Sequence, residues 1–406
     1  MIALLAALTL AGCSDTDAEQ PLTYHRDAAP LIDAYCGDCH VAGGVAPFAL
    51  STYDEVYTWR SAIEASVTAR TMPPWSASAD CADYDYDTSL SDDQIGTLSD
   101  WIDAGAAEGD PADAGQAIAL EVQSLGQVDR SLRLAAPYAP DFSAGADEYR
   151  CFVLDWPEAA DTNITGFTVD PGNSDAIHHV IAFMAPPESA DLYQSLEEED
   201  GTPGYPCYGG PGGDNSAAWV GGWVPGGVGG DFPEGTGLPV APGSKVVLQL
   251  HMNAAASDTS PVDPSLQVQL EATVDRPARV LPFTNPGWVD SDAMDIPAGE
   301  VTTHEFSYAV PGSAQVYSGS IHMHQLGVAA RLWIEHTDGS ESCLYETDRY
   351  DFNWQRAYWL SQPVQLEAGD AINVSCTWDN TTDVDVTWGE GTADEMCLGI
   401  SYLVVE

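Results

Sequence analysis

The string Cys36-Gly37-Asp38-Cys39-His40 constrains this chain more than any other feature of its sequence. Two cysteines separated by two residues can each bond one vinyl group of a single haem, and the adjacent histidine then lies under the ring as an iron ligand. The alternative is half of a zinc site, but zinc would require a second Cys/His pair nearby, and none follows. The string therefore predicts a covalently bound c-type haem, and electron transfer as a role of at least this part of the chain.

The length and charge of the chain limit its architecture and its partners. Its 406 residues exceed the size of one small cytochrome and indicate two or three domains. The 63 acidic residues against 12 basic ones give a net charge of −51. This charge argues against nucleic acid and against anionic lipid surfaces as partners. It also predicts greater stability in salt, which screens the self-repulsion.

The first residues resemble an export signal. Residues 2–10 are apolar, and Leu10-Ala11-Gly12-Cys13 resembles a bacterial lipobox, in which the cysteine is lipidated after cleavage. We expect a signal peptide at 1–12 and a tether at 13–22 that begins with the lipidated Cys13. The alternatives are an ordinary cleaved secretion signal or an apolar tail. The expected location is the bacterial cell envelope, periplasm or outer membrane, with the lipid anchor as the membrane attachment.

Residues 23–112 are predicted to form a small all-α, cytochrome c-like domain, and residues 113–129 a linker. Two pairs at capping-box spacing precede helical apolar repeats, Thr52 with Glu55 and Ser91 with Gln94. Each pair predicts the first residue of a helix, and Gly105 can end the second helix.

A second iron ligand is predicted between these two helices. Met72 is followed by Pro73-Pro74, which holds the segment extended and can aim the thioether at a fixed point. A Met/His pair on haem iron raises its potential. Met72 is therefore the predicted sixth ligand. His25 is the competing ligand, and core packing is the alternative role of a lone methionine.

Beyond the linker, the sequence periodicity changes from helical to strand-like. Short β-rich runs alternate with Gly, Pro and Asp clusters, a pattern typical of antiparallel sandwiches. We expect two all-β antiparallel domains, at 130–275 and 276–406. Residues 201–238 are so rich in Gly and Pro that they predict one long loop.

The histidines of this β region are candidate metal ligands. His178 and His179 are adjacent, so both can reach one metal only if a bulge or a strand end re-aims one of them. His251 ends a predicted strand, and His322 and His324 alternate, so that both should project from one face of a strand. The residues alone indicate metal sites, with copper as a candidate, while the alternative is packed or solvated histidines. His304 and His336 receive no role.

The cysteines of an exported protein meet an oxidising compartment. Without Cys13, Cys36 and Cys39, six of the nine cysteines remain, and sequence alone does not pair them.

Four segments of the β region occur in a recognisable order. They are Ile177-His178-His179-Val180, Leu248-Gln249-Leu250-His251-Met252-Asn253, His322-Met323-His324-Gln325-Leu326-Gly327 and Asp394-Glu395-Met396-Cys397. Together they resemble the copper type II, ascorbate-dependent monooxygenases, the family of peptidylglycine α-hydroxylating monooxygenase and dopamine β-monooxygenase. The resemblance covers roughly residues 130–406. It implies two jelly-roll sandwich domains that each contribute one copper site to a shared, solvent-filled cleft.

The resemblance also implies the cofactors, the ligands and the reaction. Two copper ions are implied, one that stores an electron and one that binds O₂. Their implied ligands are His178, His179 and His251 for the first, and His322, His324 and Met396 for the second. One oxygen atom would enter a C–H bond of a small organic substrate and the other would leave as water, which consumes two electrons.

Disulfides Cys151–Cys207 and Cys376–Cys397 are likewise implied by the resemblance. Cys81 and Cys343 have no counterpart in the family, and a bridge between them would join the haem domain to the β region.

The chain departs from the family in two respects. The peptide-amidating members hold a substrate carboxylate with an arginine at the position of Ser320, and they carry a tyrosine at the position of Ile400. A glycine-extended peptide is therefore not the expected substrate. The haem is the second departure, and it would act as a tethered one-electron relay that an external donor reloads.

We therefore expect an exported copper monooxygenase reduced through its own haem. One alternative is a non-catalytic electron-transfer or copper-handling lipoprotein, and another is an adhesive or carbohydrate-binding module whose histidines are packed in the interior. Substrate identity and oligomeric state stay open at this stage.

Overall fold

The computed structural model describes residues 20–44, 46–143, 145–173, 176–207, 209–214, 216–224, 227–254, 260–291, 293–389 and 391–406. The expected signal peptide and Cys13 lie outside these residues. The described chain divides into two compact units. Unit 1 comprises the described residues of Met1–Pro73 and Leu90–Ala119, and unit 2 comprises those of Pro74–Ser89 and Leu120–Glu406. None of the described helices is long and apolar enough to cross a membrane.

Unit 1 contains helices and connecting segments, and its described residues form no strand. Its elements are a π-helical turn (Tyr24–Ala28), α1 (Ala29–Tyr35), α2 (Tyr53–Thr68), α3 (Asp92–Asp103) and a 3₁₀ turn (Pro111–Asp113). Buried side chains from α1, α2 and α3 form one apolar core that includes Ile32, Val56, Leu98 and Trp101. The helices that the sequence predicts here are therefore present.

The predicted capping pairs begin the two longer helices. The Thr52 hydroxyl accepts a hydrogen bond from the Glu55 N–H at 3.3 Å and starts α2. Ser91 and Gln94 bond each other reciprocally and start α3. Gly105 follows α3 with a φ of +100°, which only glycine adopts readily, and the helix ends there.

Unit 2 is built almost entirely of strands. In chain order they begin as β1 (Arg130–Arg133), β2 (Asp147–Asp155), β3 (Thr162–Asp170), β4 (Ile177–Ala185), β5 (Tyr205–Pro206), β6 (Ala218–Trp223), β7 (Gly230–Asp231), β8 (Thr236–Val240) and β9 (Lys245–Asn253). They continue as β10 (Ser265–Glu271), β11 (Arg276–Phe283), β12 (Val301–Ala309), β13 (Ala314–His322), β14 (Gly327–Glu335), β15 (Glu341–Thr347), β16 (Tyr358–Leu366), β17 (Ala371–Asp379) and β18 (Leu398–Val405). Two helices, α4 (Ala190–Asp200) and α5 (Pro286–Ser291), lie between strands.

The strands form three sheets that pack as two sandwiches. A nine-stranded sheet runs in the order β1-β10-β3-β8-β11-β18-β13-β16, with β7 paired to β3. Its first half shares a core with the five-stranded sheet β5-β2-β9-β4-β6, and its second half shares a core with the four-stranded sheet β12-β17-β14-β15. The halves join where β8 and β11 pair in parallel through only two residue pairs. This architecture agrees with the expected pair of β-sandwiches, and the boundary expected at 275/276 falls between β10 and β11.

A segment that the sequence assigns to the helical domain groups instead with unit 2. Trp75, in Pro74–Ser89, is 4 % exposed and belongs to the core of the C-terminal sandwich. The Ser76 hydroxyl hydrogen-bonds the hydroxyls of Tyr345 at 2.9 Å and Tyr358 at 2.8 Å. The chain thus enters unit 2 at Pro74 and leaves it after Ser89, because the apolar side chains of this segment are buried in a β core.

The prediction of one long loop at 201–238 is wrong. This range holds β5, β6, β7 and the start of β8, and β6 is an edge strand of the five-stranded sheet. Glycine is required in this strand at position 221. Gly221 lies against the Phe167 ring, and a Cβ there would come within 2.1 Å of a ring atom. A glycine-rich composition here marks close approach between two sheets.

Candidate metal centre

The first group of histidines comes together on two paired strands. His179 on β4 lies directly opposite His251 on β9. The register of this pair shifts between Ile177 and His179, so His178 is the extra residue of a β-bulge. The bulge turns the His178 side chain toward the same side as its neighbour. It is one of the irregularities that lets the adjacent histidines bind the same metal.

The three imidazoles converge as metal ligands would. One nitrogen from each of His178, His179 and His251 lies within 4.8 Å of the other two. The Nδ1 atom of His179 is 3.4 Å from the Nδ1 atoms of both His178 and His251. Burial lowers the pKa of His178 to about 4 and the pKa of His179 well below its usual value. The two rings are therefore neutral near pH 7, as imidazole ligands must be.

Two residues of β2 support His251. The Asp147 carboxylate is 2.9 Å from His251 Nε2, and this hydrogen bond lowers the pKa of Asp147. The Tyr149 ring stacks on the His251 ring at a centroid distance of 4.0 Å. With Nε2–H directed to a carboxylate, Nδ1 is the nitrogen left for a metal. Asp147 and Tyr149 were not predicted, because only the pairing of β2 with β9 brings them here.

The second group surrounds the end of β13. His322 is its last residue, and His324 lies just beyond the strand. The expectation that both alternate on one strand is therefore corrected, since the strand ends between them. Their rings are nonetheless only 5.1 Å apart between centroids. Burial lowers the pKa of His322 to about 3 and lowers the pKa of His324 as well.

Hydrogen bonds orient both rings of the second group. His322 Nδ1 lies 2.5 Å from the side-chain oxygen of Gln355, and His324 Nδ1 lies 2.9 Å from the Asp394 carbonyl oxygen. An Nδ1–H that donates to an oxygen fixes the tautomer and leaves Nε2 free to bind a metal. Gln355 was also not predicted, since no local pattern connects it to His322.

Glu395 ties together the two segments that carry the second group. Its buried carboxylate accepts hydrogen bonds from the backbone N–H groups of His324 at 2.8 Å and Leu326 at 2.6 Å. The Trp378 indole N–H donates to it at 2.8 Å. Burial raises the pKa of Glu395 to about 7. Its place next to Met396 in the Asp-Glu-Met-Cys segment was the sequence signal that could have identified it.

The two groups meet at one cavity of about 230 Å³. His179 lines it from the first group, and His322, His324 and Met396 line it from the second. Phe352 bridges the groups, since its ring stacks on His178 at 4.7 Å and lies 5.8 Å from the His324 ring. Six side chains dispersed over more than two hundred residues of sequence thus collect at one place.

These residues fit two copper ions by their donor chemistry. The first group supplies three neutral imidazoles, and the second supplies two imidazoles with a buried thioether on the same cavity wall. Imidazole suits both copper oxidation states, and a thioether favours Cu(I). The Asp147 carboxylate is hydrogen-bonded to His251 Nε2, and the Glu395 carboxylate accepts a hydrogen bond from the backbone N–H of His324.

The predicted haem residues lie in unit 1. Cys36 and Cys39 are free, partly buried cysteines that follow α1. His40 Nδ1 lies 3.0 Å from the Phe48 carbonyl oxygen, which leaves Nε2 free. Met72 is half-buried, in the segment after α2. His25, the competing ligand, has its Nε2 atom 3.7 Å from the Glu108 carboxylate.

Six cysteines of unit 2 form three disulfides. Cys151–Cys207 and Cys376–Cys397 are the two pairings that the resemblance implies, and Cys81–Cys343 is the third. Because Cys81 groups with unit 2, the third bridge joins the Pro74–Ser89 segment to β15 within that unit.

Comparisons with known proteins agree with this geometry. Residues 290–404 match the family described as copper type II ascorbate-dependent monooxygenase, C-terminal domain. A tyramine beta-hydroxylase of Caenorhabditis briggsae is 24 % identical over 249 residues, which is 58 % of this chain and 40 % of that protein. A DBH-like monooxygenase protein 1 of Gallus gallus is 30 % identical over 95 residues, or 23 % of this chain and 15 % of that protein.

These matches support a relationship between this chain and the copper type II ascorbate-dependent monooxygenase family. The matched family and these relatives are named as monooxygenases or hydroxylases. The chain spans well under half the length of the curated relatives it matches. Among solved structures, one of PNGF-II aligns over 68 % of this chain and 65 % of that one, at 11 % identity and a TM-score of 0.29.

Ser320 and Ile400, the two positions at which the sequence departs from the pattern that the resemblance implies, lie together at the cavity. Ser320 and Ile400 pair across β13 and β18, and the Ser320 hydroxyl donates to the Ile400 carbonyl at 3.4 Å. Both residues line the cavity, where neither offers a charged group to a substrate.

Proposed function

We propose that the chain is an exported copper monooxygenase that inserts one oxygen atom of O₂ into a C–H bond of a small organic substrate, with electrons relayed through a covalently bound haem. One observation carries the proposal: His179, His322, His324 and Met396 line the same cavity, and His178 and His251 converge on His179.

In this proposal, each group of ligands holds one copper ion. His178, His179 and His251 hold the ion that stores an electron. His322, His324 and Met396 hold the ion at which O₂ is reduced. When bound, copper supplies one-electron redox chemistry and activation of O₂.

The chain's own residues prepare this chemistry. Asp147 and Gln355 fix the orientation of the His251 and His322 rings, and Glu395 holds the backbone around His324. Phe352 covers one face of His178 and lies against the His324 ring. The aromatic cavity wall, which includes Trp223 and Phe232, fits an apolar substrate body.

The haem belongs to the proposal for reasons found in unit 1. Burial raises the pKa of Cys36 to about 12, so its thiol is neutral in the metal-free chain. Among the residues that the structure describes, the three histidines of the first group are the only compact set of three His, Cys or carboxylate ligands. Cys36, Cys39 and His40 therefore fit haem attachment better than zinc. Met72 is the proposed sixth ligand of the iron.

Export and lipid anchoring at Cys13 complete the proposal. Three disulfides in unit 2 support an oxidising compartment such as the periplasm. Metabolic labelling with a fatty acid analogue tests the anchor, and an unlabelled protein would refute it. Haem staining after denaturing electrophoresis tests the attachment, which a Cys36→Ser/Cys39→Ser variant should lose.

The decisive experiment measures metals and turnover together. Purified protein should contain one iron and two coppers per chain, and His179→Ala and His322→Ala should each lose one copper. His336→Ala is the control, because His336 bonds Asp370 and Ser342 away from the cavity. Reduced protein supplied with ¹⁸O₂ should place one labelled atom in a product found by untargeted screening. Met396→Ala should abolish this label and leave the haem spectrum unchanged.

A second candidate function is copper handling or electron transfer without turnover. The observation that favours it is the Ser320–Ile400 pair, which lacks the substrate contacts of the amidating members. Bound copper and a reducible haem without any labelled product would select this candidate. A protein that contains only iron would contradict both.

A further inference from the structure

Arg356 lines the cavity next to the second ligand group. Gln355, its neighbour in sequence, is the residue that orients His322, and both side chains contribute to the cavity wall. Arg356 therefore places a permanent positive charge near the proposed site of reaction, since a guanidinium stays protonated in proteins.

This guanidinium has no anionic partner among the residues that the structure describes. The chain has 63 acidic residues. Among those that the structure describes, none forms an ion pair or a hydrogen bond with Arg356. Asp87 acts on it electrostatically but lies beyond ion-pair distance. By contrast, Arg150 pairs with Asp200 and Arg331 pairs with Glu341.

Two aromatic rings lie against the guanidinium. Its central carbon lies 4.9 Å from the centroid of Trp75 and 5.9 Å from that of Tyr358. Cation–π contact involves the charge of the guanidinium and does not require its N–H donors to bond a carboxylate. The arginine is thus held in place while its forked donors stay available, and that fork matches a carboxylate.

Burial also lowers the pKa of Arg356, because the charge is partly removed from water without a counter-ion. An anion bound at this position would relieve that cost.

We propose that Arg356 is a substrate-binding residue that takes the carboxylate of a small aromatic or aliphatic acid, whose apolar body lies along the aromatic wall of the cavity. This inference rests on the proposed function, since it names the class of substrate for the same site. The cavity of about 230 Å³ suits a one-ring acid, because an apolar cavity of about 150 Å³ already admits benzene.

The test compares two ligands that differ in one charge. Full-length protein of measured copper content is titrated calorimetrically, without reductant, with 3-phenylpropanoate and with its neutral amide. The carboxylate should bind at least about tenfold more tightly than the amide, as hydrogen bonds to a charged group predict. Arg356→Gln should bring this ratio close to one, and Arg356→Lys should keep part of it.

Arg349→Gln is the matched control. Arg349 donates to the Trp75 carbonyl at 3.2 Å, so it contacts the same segment without lining the cavity. Its variant should keep the wild-type ratio.

Three results would overturn the inference: equal affinities in the wild type, a ratio unchanged in Arg356→Gln, or an equal loss in Arg349→Gln. A carboxylate that binds directly to a metal would give the second result. Because no turnover is measured, the preference can hold or fail whether or not the protein is an oxygenase.

Discussion

The imidazole rings of His179 and His322 lie 6.5 Å apart between centroids and nearly perpendicular, at 82°. One ring belongs to each ligand group, so the two candidate copper sites are neighbours on one cavity wall. The family resemblance implies a solvent-filled cleft between the sites. In this structure both rings line one shared cavity, and Phe352 lies against His178 and His324 beside it.

Copper binding should persist well below pH 6.5. The sequence alone predicts weakening through about pH 6.5, the usual histidine pKa. The structure lowers the expected midpoint, because burial lowers the pKa of His178 to about 4 and that of His322 to about 3. Since neutral imidazole is the ligand, copper should be retained at pH 5 and lost near these lower values. Copper content after dialysis at a series of pH values measures this, and a midpoint near pH 6.5 would contradict it.

The same shifts predict the pH dependence of stability of the metal-free protein. Below about pH 6.5 the unfolded chain takes up protons on these histidines, while the folded chain does not until the lowered pKa values are reached. The free energy of unfolding should therefore fall as the pH drops from about 6.5 to about 4. Urea unfolding at several pH values tests the sign, and stability that rises over this interval would refute it.

Asp147→Asn should weaken copper binding at the first ligand group by about 10- to 100-fold. In the wild type, the Asp147 carboxylate accepts the hydrogen bond from His251 Nε2–H and makes the imidazole a more basic ligand. The variant removes this negative charge. Competition with a Cu(I) chelator measures the change. Asp155→Asn on the same strand is the control, because Asp155 is exposed and pairs with Lys245 instead. Equal affinities for the two variants would argue against the supporting role of Asp147.

Glu395→Gln should destabilise unit 2 by about 1–3 kcal/mol. A side-chain amide replaces one acceptor oxygen with a donor, which then faces the N–H groups of His324, Leu326 or Trp378. Glu341→Gln, which alters an exposed ion pair with Arg331, should change stability by less than about 1 kcal/mol. Urea unfolding of copper-free protein compares the two. Equal urea midpoints for the two variants would show that the hydrogen bonds of Glu395 do not stabilise these segments.

Gly221→Ala should cost about 1–3 kcal/mol through overpacking. Its new methyl group would come within 2.1 Å of the Phe167 ring, whereas the nearest atom to a methyl group at Gly222 is 3.4 Å away. Gly222→Ala is therefore a control on the same strand, and its melting temperature should stay close to that of the wild type. A similar drop in both variants would point to backbone strain in place of the ring clash.

Sequence reasoning succeeded where local chemistry decides the structure. The capping pairs at Thr52 and Ser91 begin α2 and α3, because a side chain bonded to its own helix terminus needs no tertiary partner. The sequence also anticipated an irregularity at His178, since two adjacent histidines can bind one metal only through a bulge or a strand end, and the structure has the bulge.

Sequence reasoning failed where contacts between residues far apart in the sequence determine the structure. Asp147 meets His251 only through the register of β2 against β9, and Gln355 meets His322 through a loop that approaches from elsewhere in the sequence. Trp75 looked like part of a helical domain because its neighbours in sequence are helical. Its burial in a β core depends on contacts with residues such as Tyr358, far along the chain.

The path of the chain through Pro74–Ser89 determines how the gene can be divided. A β region expressed from residue 120 onward would lack Trp75 and the disulfide partner of Cys343, so its C-terminal sandwich would have an open core and a lone thiol. A helical fragment ending at Pro73 would likewise lack α3. The two units thus cannot be obtained separately by a single truncation, and their loss or exchange as intact modules would require two cuts and a new connection.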